Sequence, residues 1–204
     1  ISEKTFKIKL AKGSHIVIPK MYSGDYAYLL QNKDGRVVFT IPYQEKFTLI
    51  GTTDTAINEG FDRALISDEE INYLCTTVNQ YFKQSISPDK IVWSYSGVRC
   101  LQADSTDDLA KLSREHKIDI EVVNDLPLIT IIGGKITTHR TLAEETLLQL
   151  ERYFPHMSSA WTAKKPLPGG DFAKHNFKKF YLQFLQDFPW LPEDVAQHYA
   201  KNYG

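Results

Sequence analysis

The chain has 204 residues, of which 42% are hydrophobic and 12% aromatic, and its formal net charge is −1. This length and apolar content suffice for one large globular domain or two small ones. The balanced charge excludes a general affinity for nucleic acid, and the lack of an apolar run of about eighteen residues excludes a predicted transmembrane helix. The chain begins with Ile1 and ends at Gly204 directly after a helix-like segment, so we expect it to be an excised part of a longer protein.

The first third of the chain has the short, alternating, β-branched segments that are typical of strands. The segments are FKIKL, SHIVIP, YAYLLQN, RVVFTIPY and FTLIGTTD, and together they predict an antiparallel meander. Lys33, Asp34 and Gly35 predict a hairpin turn between the third and the fourth of them.

An amphipathic helix is predicted from Ser67 to Phe82. Ser67 or Asp68 can cap it, and Glu69 and Glu70 favour the positive end of the helix dipole. Its apolar stripe recurs at helical spacing and consists of Ile71, Leu74, Cys75, Val78 and Phe82.

The second half of the chain predicts more strands and then helices. KIVWSYSGVRCL predicts a strand that turns at Gly97, and HKIDIEVV and LPLITIIGG predict two strands joined by a turn. A helix follows, with a predicted buried stripe of Ala143, Leu147, Leu150 and Phe154. After PLPGGD, an aromatic-rich helical region predicts the beginning of a different, mostly α unit.

The segment GGKITTHR, residues 133–140, joins the last apolar strand to a helix. Gly133 and Gly134 permit unusual backbone angles and the close approach of a ligand, and Thr137 or Thr138 can cap the helix. One interpretation is an anion site at the helix N-terminus. The other is a tight turn with a threonine cap and a solvated Lys135.

Three further side chains have two interpretations each. His15, in an otherwise apolar strand, suits a general base near neutral pH, but it equally suits a hydrogen-bonded structural histidine. Arg99 and Arg114 can bind a phosphate or carboxylate, but Arg99 also suits a surface ion pair and Arg114 a solvated charged loop. The other histidines and the two cysteines, Cys75 and Cys100, lack metal-ligand spacing, so no metal site is predicted.

Six blocks of sequence occur together in a specific order. They are KGSHIVIPK, AYLLQNKDGRVVFTIPY, FTLIGTTD, IVWSYSGVR, GGKITTHRTLAEETL and WTAKKPLPGGD. This series closely resembles the aerobic, FAD-dependent glycerol-3-phosphate dehydrogenases over nearly the whole chain. The family's N-terminal Rossmann part, with its GxGxxG fingerprint, is absent from this sequence.

The resemblance implies an α+β fold: the antiparallel substrate-binding sheet of an FAD-dependent (DAAO/glutathione-reductase-like) oxidoreductase, followed by the start of an α-helical C-terminal domain. It assigns residues 1–130 to the substrate-binding sheet region. Residues 131–160 become the flavin-contacting strand, glycine turn and helix, and residues 161–204 the beginning of the helical domain.

The resemblance also implies roles for individual residues in the oxidation of sn-glycerol 3-phosphate to dihydroxyacetone phosphate. His15, Arg99 and Lys135 are the implied catalytic residues, with His15 as the base. The implied substrate-binding residues are Arg99, Arg114 and Lys135. FAD is the implied cofactor, and the residues expected to contact it are Gly133, Gly134, Lys135, Ile136, Thr137 and Thr138.

The sequence departs from the family pattern at three places. Cys100 replaces the usual proline after the SGVR arginine. Glu115 and His116 replace the usual aspartate and aromatic residue after Arg114, and His139 replaces the tyrosine of TTYR. None of these changes removes a residue with an implied role.

Further expectations concern the electron acceptor and the location. The resemblance implies quinone as acceptor, peripheral attachment to the cytoplasmic face of the inner membrane or a cytoplasmic location, and allows a homodimer. A glycerol-3-phosphate oxidase that uses oxygen is the alternative enzyme. A third alternative is a non-catalytic fragment that only binds a phosphate-bearing ligand, because the isolated chain is expected to be inactive.

Overall fold

The computed structural model describes residues 4–57, 64–103, 112–172 and 176–204. Its strands are β1 (Ile8–Pro19), β2 (Tyr28–Gln31), β3 (Val37–Tyr43), β4 (Phe47–Gly51), β5 (Thr55–Ile57), β6 (Trp93–Gln102), β7 (His116–Val123) and β8 (Leu126–Gly133). Its α-helices are α1 (Asp68–Tyr81), α2 (His139–Leu150), α3 (Phe177–Asp187) and α4 (Glu193–Asn202). Short 3₁₀ turns lie at Pro88–Lys90, Ile136–Thr138, Glu151–Tyr153 and Thr162–Lys164.

The chain divides into two compact units, Ile1–Ile136 and Thr137–Gly204. All the described strands belong to the first unit, and α2, α3 and α4 belong to the second. The fold is therefore α+β with antiparallel sheets, as predicted. The assignment of residues 1–130, 131–160 and 161–204 to three functional regions stays a prediction.

The main sheet of the first unit is organised around the long strand β1. The strands run in the order β2-β3-β4-β1-β5, and β6 pairs with the opposite edge of β1. The second half of β1 pairs with β4 and its first half pairs with β5, while β6 follows nearly its whole length. Separately, β7 and β8 form an antiparallel hairpin.

The predicted hairpin at residues 33–35 is confirmed: β2 and β3 pair across it, and Gly35 takes a positive φ of 81°. Two other strand predictions are wrong. FKIKL and SHIVIP belong to one strand, and β6 runs straight through Gly97. The reason is that Gly13 and Gly97 are directly paired in the β1–β6 ladder, so the interstrand hydrogen bonds hold the backbone extended at both glycines.

Helix α1 covers one face of the main sheet. Ser67 caps it in a capping box with Glu70, as the sequence predicts for its first turn. Leu74, Cys75 and Val78 of α1 form the core with apolar residues of the sheet, among them Ile16 and Ile50. Alternation along β1 then places His15 and Val17 on the opposite face.

The second unit begins with α2, whose predicted buried stripe is wrong. Ala143 and Leu147 are exposed, as is Phe154 beyond the helix, and Leu150 is only half-buried. A helical apolar period identifies which residues share a face, but it does not supply the surface that covers that face. The aromatic-rich region forms the predicted helices α3 and α4, and Asn176 caps α3 by accepting from the backbone N–H of Lys179.

Helices long and apolar enough to cross a lipid bilayer are absent from the described part of the chain.

Candidate functional site

His15 lies on the face of the main sheet that α1 does not cover. It pairs with Tyr95 of β6 on one side and with Gly51 of β4 on the other. Gly51 in turn pairs with Phe39 of β3. One row across the sheet is therefore Tyr95, His15, Gly51 and Phe39, with both aromatic rings partly exposed.

The imidazole of His15 is held between these neighbours. It stacks on the Tyr95 ring with a centroid distance of 4.8 Å and an interplanar angle of 4°. A Cβ at Gly51 would fall well inside van der Waals contact with imidazole Cδ2, so only glycine leaves room for the ring there. The geometry of the row thus fixes the position of the imidazole.

His15 is suited to accept a proton at neutral pH. Burial lowers its pKa below 6.5, and the positive charge of Arg99 lowers it further, so the neutral imidazole predominates. Its Nδ1 atom is buried and has no hydrogen-bond partner among the described residues. Buried polar atoms normally have a partner, so Nδ1 is a candidate acceptor for a ligand hydroxyl.

Gly51→Ala is expected to displace the His15 imidazole and to cost about 1–3 kcal/mol of stability, because the added methyl overpacks the site. Histidine-labelled NMR titration should then find the His15 pKa closer to 6.5, since the displaced ring gains solvent. Gly97→Ala is the matched control, because a Cβ at Gly97 meets nothing within 4 Å. An unchanged His15 titration in Gly51→Ala would contradict this description of the row.

Arg99 extends from β6 across the backbone of β1. A Cβ at Gly13 would overlap its guanidinium, so the glycine makes room for this crossing. On the far side, Arg99 donates from Nη1 to Asp54 Oδ1 and from Nη2 to Thr52 Oγ1, both at 3.2 Å. The guanidinium is therefore held at two points beside the open face.

Arg114 binds the same carboxylate as Arg99. Its Nη2 donates to Asp54 Oδ2 at 2.8 Å. Both arginines line a cleft of about 600 Å³, together with Gly133, Gly134 and Lys135. Three cationic residues thus line one cleft, a lining that favours an anionic group such as a phosphate.

The structure brings together some of the predicted site residues but not all. Arg99, Arg114 and the GGK turn share the cleft, whereas His15 does not line it. His15 is connected to the cleft through Arg99, whose guanidinium lies over Gly13, two residues before His15.

The GGK turn differs in detail from the expected strand, turn and helix. Gly133 and Gly134 both take positive φ angles, 71° and 94°, which only glycine adopts freely. A Cβ at Gly133 would press on the backbone oxygens of Glu115 and Cys100, so its close approach is to the chain's own backbone.

The helix start is also modified. A 3₁₀ turn at Ile136–Thr138 precedes α2, and Thr138 is the N-cap residue. Thr138 thus occupies the predicted N-cap position, but its side chain does not make the capping hydrogen bond. Ile136 is 85% exposed and Thr137 is exposed, so both are open to a ligand.

Groups of three or more histidine, cysteine, aspartate or glutamate side chains that could hold a metal ion are absent from the described ranges.

Comparison with known proteins places this geometry in a family. A family model described as FAD dependent oxidoreductase (DAO) matches residues 2–140, more than half of the chain. The chain belongs to this family of FAD-dependent oxidoreductases.

The chain is also similar to individual members of the oxidoreductase family. A glycerol-3-phosphate dehydrogenase of Pseudomonas aeruginosa is 41% identical over 200 residues, which cover 98% of this chain and 39% of that protein. A D-erythritol 1-phosphate dehydrogenase of Brucella abortus is 39% identical over 203 residues, covering 100% of this chain and 40% of that protein. The chain thus spans about two fifths of the length of these curated relatives.

A solved structure of another family member supports the fold. The glycerol-3-phosphate dehydrogenase of Bacillus halodurans, complexed with FAD, superimposes with a TM-score of 0.76 at 26% sequence identity. The match covers 97% of this chain and 38% of that protein. The antiparallel sheets and helices described above are therefore those of an FAD-dependent oxidoreductase.

Sequence reasoning missed several residues that shape this candidate site. Tyr95 stacks on His15, Gly13 and Gly51 provide room for functional side chains, and Asp54 and Thr52 hold Arg99. A signal was present for the glycines, since an isolated glycine in a strand often marks a close approach.

Proposed function

We propose that this protein oxidises sn-glycerol 3-phosphate to dihydroxyacetone phosphate, with hydride transfer to FAD and onward transfer of electrons to quinone. The observation that carries the proposal is the cleft lined by Arg99, Arg114 and Lys135, together with a neutral His15 on the sheet face that Arg99 crosses. Such a site combines a phosphate anchor with a proton acceptor.

Arg99, Arg114 and Lys135 bind the substrate phosphate in this proposal. Guanidinium groups bind phosphate through parallel charge-assisted hydrogen bonds, and these fix the orientation of the substrate. Lys135 additionally places a positive charge beside the substrate oxygen from which the proton leaves.

His15 accepts the proton of the C2 hydroxyl. Proton removal must accompany hydride departure from C2, and a neutral imidazole is a competent acceptor near neutral pH. The pKa of His15, held below 6.5 by burial and by Arg99, keeps the ring in its base form. The stack on Tyr95 and the room above Gly51 hold the ring in place.

The described turn suits a flavin ring. Gly134 is exposed and has a positive φ, so its backbone is open to a planar ligand, and Lys135 beside it is also exposed. When bound, FAD supplies the hydride acceptor for the oxidation. Gly133, Gly134 and Lys135 would contact it, and the sequence resemblance supports the same role for Ile136, Thr137 and Thr138.

The acceptor and the location follow from the same proposal. With quinone as acceptor, the protein would bind peripherally to the cytoplasmic face of the inner membrane; a cytoplasmic location is the alternative, and a homodimer is compatible with either. A glycerol-3-phosphate oxidase is the alternative, and rapid peroxide formation in air would identify it. For the isolated chain, the alternative is phosphate binding without catalysis, and retention of flavin colour by the purified chain would contradict this.

A second substrate has support from one comparison. The Brucella abortus relative is named for D-erythritol 1-phosphate, a longer polyol phosphate, and its identity to this chain is within two percentage points of that of the Pseudomonas aeruginosa relative. Both substrates carry a phosphate and a secondary alcohol, so the cationic cleft and His15 would serve either.

The test uses the protein at the full length of its relatives, reconstituted with FAD and mixed with substrate in the absence of oxygen. Flavin absorbance should bleach with glycerol 3-phosphate and remain with glycerol, because only the former engages the cleft. D-erythritol 1-phosphate is run in parallel. Flavin that stays bound but is not reduced by either polyol phosphate would refute the proposed function.

Arg99→Ala is expected to raise the KM for glycerol 3-phosphate about 10- to 100-fold. Hydrogen bonds to charged groups contribute about 1.5–3 kcal/mol, and 1.4 kcal/mol corresponds to a factor of ten. Arg36→Ala is the matched control, since Arg36 forms an ion pair with Asp34 in the exposed β2–β3 hairpin. Equal KM values in the two variants would show that Arg99 does not bind the substrate phosphate.

A further inference from the structure

Asp54 is a carboxylate that both arginines of the cleft share. Its Oδ1 accepts from Arg99 at 3.2 Å and its Oδ2 accepts from Arg114 at 2.8 Å. The two guanidinium groups come from separate parts of the chain, β6 and the segment before β7. One aspartate therefore fixes two cations that the backbone alone would leave independent.

The segment that carries Asp54 is itself anchored from the other face of the sheet. Side chains alternate along residues 52–55. Thr53 and Thr55 donate to Glu70 Oε1 at 2.6 and 3.2 Å, while Thr52 and Asp54 accept from Arg99. The buried carboxylate of Glu70 thus holds the backbone from which Asp54 projects.

We propose that Asp54 is a positioning residue for the phosphate site, which orders Arg99 and Arg114 as a preformed pair before the substrate arrives. This inference rests on the proposed function of the cleft. In the described hydrogen bonds, Arg99 donates two of its five N–H groups and Arg114 donates one. The remaining N–H groups of each fork are available to phosphate oxygens.

The negative charge of Asp54 would also repel a phosphate, so two effects oppose one another. The arginine side chains are 31% and 44% exposed, and water screens a repulsion at such exposure. Without Asp54, two long side chains would have to be ordered by the ligand itself, at a cost in binding. We expect the gain from ordering Arg99 and Arg114 in advance to exceed the loss from the repulsion between Asp54 and the phosphate.

The experiment compares Asp54→Asn with wild type in the FAD-reconstituted protein at the full length of its relatives. Inorganic phosphate is the probe, measured as a competitive inhibitor, alongside steady-state oxidation of glycerol 3-phosphate. We expect Asp54→Asn to raise both the inhibition constant of phosphate and the KM about tenfold, with kcat within twofold of wild type. Asp54→Glu, which keeps a carboxylate, should recover part of the affinity.

Asp34→Asn is the matched control, because Asp34 also binds an arginine, Arg36, but in the exposed hairpin. It should leave the KM, the inhibition constant and kcat unchanged. If Asp54→Asn fails to fold, Thr52→Ala removes only the second bond to Arg99, and it should weaken phosphate binding by a smaller factor.

Three results would overturn the inference. Asp54→Asn could bind phosphate as tightly as wild type or more tightly, which would mean that repulsion dominates. It could lower kcat at constant KM, which would mean that Asp54 acts in the chemical step. If the wild-type protein neither oxidises a polyol phosphate nor is inhibited by phosphate, the proposed function fails and this inference fails with it. If the wild-type protein oxidises a polyol phosphate and is inhibited by phosphate, a contrary result for Asp54→Asn overturns only the role of Asp54.

Discussion

His15→Asn should lower kcat for polyol phosphate oxidation by about 10²- to 10⁴-fold, the usual contribution of a general base. The loss should fall on kcat rather than on KM, because the cationic cleft does not include His15. Flavin should still be bound by the variant. Single-turnover flavin bleaching without oxygen measures the chemical step directly, separately from electron transfer to the acceptor.

His156→Asn is the matched control, since His156 is exposed and lies in the second unit. It should retain wild-type kcat. If His15→Asn reduced flavin as fast as wild type, His15 would be a structural histidine in the sheet and the proton would leave by another route.

The pH profile tests the same assignment. A base must be deprotonated to act, so kcat/KM should fall as pH drops through the pKa of His15. Burial and then Arg99 hold that pKa below 6.5, which places the acidic limb below pH 6.5. Arg99→Ala removes a positive charge that disfavours the imidazolium, so the limb should move to higher pH. If Arg99→Ala leaves the acidic limb at the same pH, the limb does not report the ionisation of His15.

The strands and α1 could largely be predicted from local sequence. The alternating segments, the hairpin residues at 33–35 and the Ser67 capping box each carry a local signal that the structure realises. The errors among the strand predictions arise at glycine residues. Gly97 is predicted to turn its strand, but it pairs with Gly13 across β1 and β6, and pairing between strands distant in sequence is not a local property.

Contacts between residues distant in sequence also limit what can be predicted of the candidate site. His15, Arg99 and Arg114 were identified from residue type and from resemblance, and the structure adds what surrounds them. The sequence alone does not connect Asp54 with its two arginine partners, because they lie 45 and 60 positions away along the chain. The predicted burial of the apolar stripe on α2 is wrong for a related reason, since these residues share a face that the described chain leaves exposed.

Glu70 is the residue whose replacement should cost the most stability. It forms an ion pair with Lys12 at 2.8 Å, and both side chains are largely buried, at 7% and 14% exposed. It also accepts from Ser14, Thr53 and the backbone N–H of Ser67. Glu70→Gln leaves the Lys12 ammonium buried without its counter-charge, a change that typically costs about 3–5 kcal/mol.

Urea unfolding of the chain measures this loss as a lower midpoint at an unchanged slope. Glu69→Gln is the matched control, because Glu69 occupies the same first turn of α1 but is exposed, and it should leave the urea midpoint nearly unchanged. Combining Glu70→Gln with Lys12→Met should cost less than the sum of the two single changes, since the pair is lost only once. Strict additivity would mean that the ion pair contributes little.

Acid should reveal the same carboxylate. Burial opposes the ionisation of Glu70, but the hydrogen bonds from Lys12, Thr53, Ser67 and Ser14 prevail and lower its pKa from 4.5 to about 2. A carboxylate with a lowered folded-state pKa contributes stability that is fully present above about pH 4.5 and is lost as pH falls towards 2. Wild-type urea midpoints should decline across that window, and Glu70→Gln should decline less steeply. Because Glu70 holds Thr53 and Thr55, acid that protonates it should also loosen the Asp54 segment and weaken phosphate binding in the same window. Equal slopes for the two proteins would show that another carboxylate governs acid unfolding.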